Sequence, residues 1–214
     1  MIHHLAIPLE LTRKNPSMLS HNPFADLLPA AVMQTYVVLM FLLVVGGTIL
    51  DTIHKKSAKY FFQAAQKAKK NQTRSVGGGE KASIAVKTAV HDVMLSGEFC
   101  NARRRIAHLL GMYGFVIFLV TTVILIFSYP TSATPAPATV TGLWHIGALM
   151  VCVGGYWFWF VIRVDVAAEG NAWYRIIRAD LFILALLATT TFALIWSYLQ
   201  TRGDGIWTTL ALVL

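Results

Sequence analysis

The chain has 214 residues, of which 56% are hydrophobic and only 13% are charged. An ordinary soluble domain contains about 25% charged residues, so this composition predicts a membrane protein and excludes a soluble catalytic domain. The formal charge of +8 lies mostly beside apolar runs, and no nucleic-acid recognition motif accompanies it. Nucleic-acid binding is therefore not expected.

The chain begins with a polar segment, residues 1–26, which lacks the apolar core of a cleavable signal peptide. Charged residues are then absent from Leu27 to Leu50, a run of 24 residues. About 20 apolar residues suffice for a helix to cross a bilayer. The run is unbroken rather than alternating, which favours a helix over a barrel strand. Residues 27–50 are therefore predicted to form the first transmembrane span.

A basic loop follows over residues 51–105 and contains twelve Lys or Arg residues. Its first part, KKSAKYFFQAAQKAKK, places apolar residues at helical spacing and lysines on the other face. This pattern is typical of an interfacial helix on an anionic leaflet. Three glycines, 77–79, break that helix, and a second short helix is expected at about 81–96. The alternative interpretation is a solvated, partly disordered loop.

No Asp, Glu, Lys or Arg occurs between residues 106 and 162, a stretch of 57 residues. That length accommodates two spans and a turn, and the turn lies where Pro130, Pro135 and Pro137 exclude a helix. The second span is thus predicted at 106–128 and the third at 142–162, joined by a proline-rich loop over 129–141.

A short polar loop over residues 163–180 precedes a fourth predicted span at 181–199, and residues 200–214 are expected to form a turn and the start of a fifth span. Fifteen of the eighteen Lys and Arg residues lie in the two loops at 51–105 and 163–180. By the positive-inside rule these loops face the cytoplasm, which places the N-terminus outside. The predicted fold class is all-α, a polytopic transmembrane helix bundle with a basic cytoplasmic loop that contains interfacial helices.

Three histidines near the predicted spans are candidate haem ligands, because imidazole is the usual axial ligand of a haem in a membrane bundle. His108 lies at the cytoplasmic end of the second span, His145 at the outer end of the third, and His54 just beyond the first. Only His54 and His108 have similar depths, so only they could form a pair within these spans. For each histidine the alternative is a polar residue that faces the membrane interface.

The two cysteines, Cys100 and Cys152, occur in no metal-binding motif, and we expect them to be free packing residues. No metal site is predicted beyond a haem iron. Gly147 and Gly154 are seven residues apart and therefore share one helix face, which predicts close helix packing. His145 points about 200° away from Gly147 around the helix. The aromatic residues near the predicted membrane edges are interpreted as interfacial belts; they include Trp144, Tyr156, Trp157, Trp159, Trp173 and Tyr174.

Residues 101–130 contain a pair of arginines, a histidine three residues later, an aromatic–Gly–Phe sequence and a threonine pair. This pattern resembles the membrane cytochrome b subunits of the nitrate reductase gamma kind. It also resembles the membrane parts of quinone-interacting membrane-bound oxidoreductases and of heterodisulfide reductases. Within that group, the chain is similar to the membrane anchor of adenylylsulfate reductase in sulfur-oxidising bacteria. The matching positions are Arg104, Arg105, His108, Tyr113, Gly114, Phe115, Thr121 and Thr122.

The resemblance implies a membrane anchor subunit of the bacterial inner membrane that docks a cytoplasmic redox enzyme and exchanges electrons between it and quinone, with or without haem b. Its own role would be that of a subunit of an oxidoreductase complex in sulfur metabolism, rather than of a catalytic subunit. The group usually has a further span with histidines that this sequence does not include, so His108 is the only ligand position that the resemblance transfers. The alternatives are a non-redox scaffold or accessory subunit, and a transporter or channel component. The basic loop is the expected docking surface for the acidic partner, through Lys55, Lys56, Lys67, Lys69, Lys70, Arg103, Arg104 and Arg105.

Overall fold

The secondary structure of the computed structural model is entirely helical within the residues that it describes, which are 21–25, 27–71, 77–166, 170–178 and 180–202. The predicted all-α class is therefore confirmed. Residues 1–20 and 203–214 lie outside these ranges, and so does most of the predicted fifth span. The helices are α1 (Ala30–His54), α2 (Ser57–Lys70), α3 (Gly78–Thr88), α4 (Ala102–Ser128), α5 (Ala138–Trp157) and α6 (Asp180–Arg202). Helical turns of the π type extend α3 over Ala89–Met94 and α5 over Phe158–Ile162.

Four of the helices are long and apolar enough to cross a bilayer: Ala30–His54, Ala102–Ser128, Ala138–Ile162 and Asp180–Arg202. They have 23 to 27 residues each and coincide with the four predicted spans. A helix rises about 1.5 Å per residue, so each exceeds the roughly 30 Å of hydrocarbon in a bilayer. The chain therefore has the architecture of a multi-pass helical membrane protein.

Helices α4 and α5 form the closest pair, and glycines make that approach possible. A methyl group added at Gly147 would lie 2.7 Å from the backbone nitrogen of Phe118, and one at Gly114 would lie 2.8 Å from that of Val151. At Gly154 it would lie 2.7 Å from the carbonyl oxygen of Ala107. The packing role predicted for Gly147 and Gly154 is therefore confirmed.

Helices α5 and α6 run antiparallel and are joined by side-chain hydrogen bonds at three levels. His145 Nε2 and Ser197 Oγ are 2.8 Å apart at the first level. Cys152 Sγ donates to Thr190 Oγ1 over 3.4 Å at the second. At the third level, the hydroxyl groups of Tyr156 and Thr191 are hydrogen-bonded, with 2.8 Å between the oxygens. Polar pairs of this kind hold helices together in an apolar environment, where association cannot rely on the hydrophobic effect.

Replacing Ser197 by alanine should loosen this α5–α6 contact, because the buried His145 Nε2 would lose its partner. We expect the free energy of unfolding to fall by about 0.6 kcal/mol, the average for such bonds in membrane proteins, and by no more than about 1.7 kcal/mol. Denaturant unfolding in detergent, followed by circular dichroism, would measure the change. Ser128→Ala at the exposed end of α4 is the matched control and should leave the unfolding curve in place. Equal shifts in the two variants would contradict the role assigned to this bond.

A short segment before α1, residues 21–25, covers the end of the bundle that carries the proline-rich loop, here called the proline-loop end. Asn22 Nδ2 donates to the Tyr129 carbonyl over 2.9 Å, and Gln200 Nε2 donates to the Pro23 carbonyl over 3.1 Å. The Phe24 ring lies edge-on to Trp144 at 5.6 Å between centroids. These contacts connect α4, α5 and α6 at one end.

His21 belongs to the same segment and lies 3.3 Å from the Gln200 side-chain oxygen. Burial lowers the pKa of His21, while its hydrogen bond with Gln200 acts in the opposite direction. The net effect favours a neutral ring in this contact.

Two of the aromatic residues assigned to interfacial belts lie in the protein interior instead. Trp144 has no exposed surface and donates through Nε1 to Thr122 Oγ1 over 2.9 Å, and Trp159 is 5% exposed. The belt interpretation is wrong for these two, because an amphipathic ring can pack inward when a polar partner or a cation is available. Trp173 and Tyr174 are exposed.

Candidate functional site

His108 lies near the start of α4, at the end of the bundle that carries both basic loops, here called the basic-loop end. Asn101 caps this helix by accepting a hydrogen bond from the Arg103 backbone nitrogen at 2.9 Å, which fixes where the helix begins. The imidazole is exposed and stacks at a tilt on Phe99, with the ring centroids 5.0 Å apart. Within the described part of the chain, no hydrogen bond occupies its ring nitrogens, so both are available to a ligand.

The segment that carries Phe99 is attached to α4 by two hydrogen bonds from side chains of that helix. Arg105 Nε donates to the Leu95 carbonyl over 2.7 Å, and the Tyr113 hydroxyl donates to the Met94 carbonyl over 2.8 Å. The Arg104 guanidinium lies 5.9 Å from the centre of the Phe99 ring. Two positions that carry the family resemblance, Arg105 and Tyr113, thus position an aromatic wall beside His108.

His108 lines a groove between α4 and α6 with a volume of about 600 Å³. The groove exists because α6 packs against α5 and against no other described helix, which leaves the space between α4 and α6 open above α5. Its volume falls within the range of typical small-molecule pockets, about 300–1,000 Å³. We call it the His108 groove; its main lining residues are Phe99, Arg104, His108, Gly111, Phe115, Gly154, Gly155, Phe158, Asp180, Phe182, Ile183 and Leu186.

Two glycines form part of the α5 side of the His108 groove. Gly154 faces the backbone of α4, and its neighbour Gly155 faces Leu187 of α6, so the two helices on either side both approach α5 closely. A methyl group at Gly111 would meet nothing within 4 Å, which shows that space is open next to His108. A flat ring could lie there between the phenylalanine side chains.

A buried ion pair lies beside the groove at the basic-loop end, where Asp180 forms part of the lining. Arg163 has no exposed surface; its Nε lies 3.3 Å from Asp180 Oδ1, and its Nη2 lies 2.5 Å from Oδ2. It also donates to the carbonyl of Ala172 over 2.8 Å and to that of Arg175, and its guanidinium stacks 4.3 Å from the centre of the Trp159 ring. Every face of this cation is therefore in contact with the protein.

Sequence reasoning counted Arg163 only as a topology signal and did not find this pair. A signal was present: Arg163 directly follows the 57 uncharged residues, and Asp180 directly precedes the next apolar run. Opposite charges at the two ends of one short loop between antiparallel spans lie at the same membrane depth. A buried charge needs such a partner, so this pattern could have predicted the contact.

The three candidate haem ligands do not form a pair within the described structure. His145 lies at the proline-loop end and is 3% exposed. Its Nδ1 lies 2.7 Å from the Thr141 carbonyl oxygen, and its Nε2 lies 2.8 Å from Ser197 Oγ. His54 ends α1, a helix whose only buried residue is Val37. Among the described residues no hydrogen bond or ring contact joins His54 to His108. The side-chain hydrogen bond between α1 and α4 lies near the other end of α1, where Gln34 donates to the Ile126 carbonyl over 3.3 Å.

The predicted docking residues all belong to segments at the basic-loop end. The five lysines are exposed, and Lys55 forms an exposed ion pair of 2.9 Å with Asp51. Arg103 is also exposed, whereas Arg104 and Arg105 are half-buried against the segment before α4. Cys100 is exposed and Cys152 buried, and both are free, as expected. No group of three or more potential metal-binding side chains occurs among the residues described.

Comparison of the chain with protein-family models, with curated proteins and with solved structures gives no match. Its functional interpretation therefore depends on the His108 groove, on the charge distribution and on the resemblance carried by residues 101–130.

Proposed function

We propose that this chain is the membrane anchor subunit of a quinone-linked oxidoreductase in the bacterial inner membrane, with the N-terminus outside. It docks a cytoplasmic redox enzyme similar to adenylylsulfate reductase and passes electrons between that enzyme and the quinone pool. The observation that carries the proposal is the His108 groove, an apolar cleft with one accessible imidazole at the basic-loop end. The resemblance of residues 101–130 to cytochrome b-like membrane subunits supports the same role.

The chemistry of the groove suits a quinone head group. Its aromatic and glycine surfaces accommodate a flat ring, and the His108 imidazole can donate a hydrogen bond to a quinone carbonyl. Reduction to the quinol takes two electrons from the docked enzyme and two protons from water. His108, which is exposed, can transfer one of these protons and recover it from the cytoplasm. In the opposite direction the same steps run in reverse.

The described residues fit a bis-histidine haem b poorly. His108 could hold such a group, but Met112, the other potential ligand in the groove, lies one turn away on the same helix and would not complete a pair with it. A haem b, if bound, would be held by His108 together with a ligand from outside the described residues, and it would supply one-electron transfer. Quinone is therefore the better-supported ligand.

The basic loop supports docking of an acidic enzyme surface. Twelve Lys and Arg residues lie in this loop, and those of α2 are exposed. Such a surface attracts an oppositely charged partner and orients it. The partner would then lie at the end of the bundle where the His108 groove opens.

Replacing His108 by alanine should weaken the binding of a soluble short-chain quinone to the purified chain in nanodiscs. Loss of one neutral hydrogen bond corresponds to about 0.5–1.5 kcal/mol, or roughly a three- to tenfold rise in Kd. Equilibrium dialysis would measure the binding. A second variant, Gly111→Leu, keeps the histidine but fills the open space beside it, and should abolish binding.

The matched control is His91→Ala, because His91 is exposed on the basic loop and bonds to its neighbour Asp92 at 2.8 Å. It should bind quinone like the parent chain. Unchanged binding in both His108→Ala and Gly111→Leu would overturn the placement of quinone in the groove. A reduced-minus-oxidised spectrum with a haem b band that is lost in His108→Ala would instead assign this histidine to haem.

A non-redox scaffold or accessory subunit is the second candidate. It is favoured by the engaged ring nitrogens of His145 and by the separation of His54 from His108 in the described structure. Co-purification distinguishes the two roles: a scaffold would retain its cytoplasmic partner but would bind neither quinone nor haem.

A further inference from the structure

Helix α2 has one apolar face and one basic face. Successive residues of a helix are about 100° apart, which places Phe61, Phe62, Ala65 and Ala68 within one arc. Lys59, Lys67 and Lys70 fall in the opposite arc, whereas Lys69, in the last turn, falls within the apolar arc. Such segregation is typical of a helix that rests on a boundary between an apolar phase and water.

The apolar face of α2 has no partner within the described structure. Phe61 is 69% exposed and Phe62 is 63% exposed, and their rings contact each other edge-on at 5.6 Å. Among the described helices, α2 contacts only α1. An exposed apolar patch beside a membrane-crossing helix is typical of a surface that contacts a partner or a membrane.

The connection to α1 places this face at the membrane boundary. Helix α1 is one of the four membrane-crossing candidates and ends at His54, and only Lys55 and Lys56 separate it from α2. Lys56 adopts the left-handed conformation, with φ 54°, which turns the chain sharply between the helices. The first turn of α2 therefore starts where the hydrocarbon region ends.

We propose that α2 lies flat on the anionic surface of the same bilayer that α1 crosses, with Phe61, Phe62 and Ala65 inserted below the head groups. An anionic bilayer provides both an apolar layer for the aromatic face and negative charge for the flanking lysines. An acidic protein surface would satisfy only the lysines. The proposal depends on α2 and the bilayer alone and not on quinone binding in the His108 groove.

The test is a depth measurement on the full chain in nanodiscs of phosphatidylcholine and phosphatidylglycerol. Ala65→Cys and Gln63→Cys, each in a Cys100→Ser background, are labelled with an environment-sensitive fluorophore. These positions are two residues apart and so lie about 200° apart around the helix. We expect a blue-shifted emission at 65, strongly quenched by lipids spin-labelled near the head group, and a water-like, weakly quenched emission at 63.

The matched background without a new cysteine corrects for label on the buried Cys152. Equal quenching at the two positions would overturn the proposal, as would an emission at 65 that shifts only when a soluble partner is added. Replacing Lys67, Lys69 and Lys70 by glutamine should lower the quenching at 65 in the anionic nanodiscs but not in phosphatidylcholine alone. The same quenching with and without these lysines would overturn the part assigned to lipid charge.

Discussion

Replacing Arg163 by alanine is expected to lower the free energy of unfolding by about 3–5 kcal/mol, the usual effect of removing one partner of a buried ion pair. The reason is that the Asp180 carboxylate would remain buried at the start of α6 without its cationic partner. The carbonyls of Ala172 and Arg175 would lose their donor in the same step. Thermal and denaturant unfolding of the purified chain in detergent would measure the loss.

Charge and geometry can be separated by a second variant, Arg163→Lys. Lysine keeps the positive charge but lacks the planar fork that reaches Asp180 and the two carbonyls at once. We expect an intermediate loss of stability. Asp51→Ala is the control, because it breaks the exposed Lys55–Asp51 pair and should leave the unfolding curve almost unchanged. An Arg163→Ala variant as stable as this control would show that the buried pair is dispensable.

The same pair influences the candidate site, because Asp180 lines the His108 groove and begins α6. The Ile177 backbone nitrogen also donates to Asp180 Oδ2 over 2.9 Å, so the loop end and the helix start are fixed together. A variant that loosens Arg163 would therefore shift α6, the wall of the groove that faces His108. Reduced quinone binding in Arg163→Lys would report this positional effect.

The spans could be predicted from the sequence because hydropathy and length alone define them. The runs 27–50 and 106–162 contain no charged residue and coincide with observed helices. Gly147 and Gly154 could also be assigned correctly, since small residues seven apart share a helix face and permit close approach.

The candidate site was only partly predictable, because its geometry depends on which helices touch. His108 was identified from its position and from the family resemblance, yet the open space beside it arises because α6 packs on α5 rather than on α4. His145 illustrates the same limit. Its position in the first part of α5 follows from the predicted span. Its hydrogen bond to Ser197, however, joins residues 52 apart in the chain, which periodicity cannot reveal.

Replacing Gly147 by alanine is expected to separate α4 from α5 and to lower the free energy of unfolding by about 1–3 kcal/mol, as overpacking usually does. The new methyl group would lie 2.7 Å from the Phe118 backbone nitrogen and 2.9 Å from the Gly114 carbonyl oxygen. Both are backbone atoms, so no side chain can move aside to relieve the clash. Unfolding in detergent would measure the change.

Gly46→Ala in α1 is the matched control, since it makes the same substitution in a membrane-crossing helix where the added methyl meets nothing within 4 Å. Because alanine is the better helix former, this control should unfold at the same denaturant concentration as the parent or slightly above it. A loss in Gly147→Ala that is matched by Gly46→Ala would contradict close backbone packing. A selective loss, together with weaker quinone binding, would show that the α4–α5 contact also supports the groove, because both helices line it around Gly154.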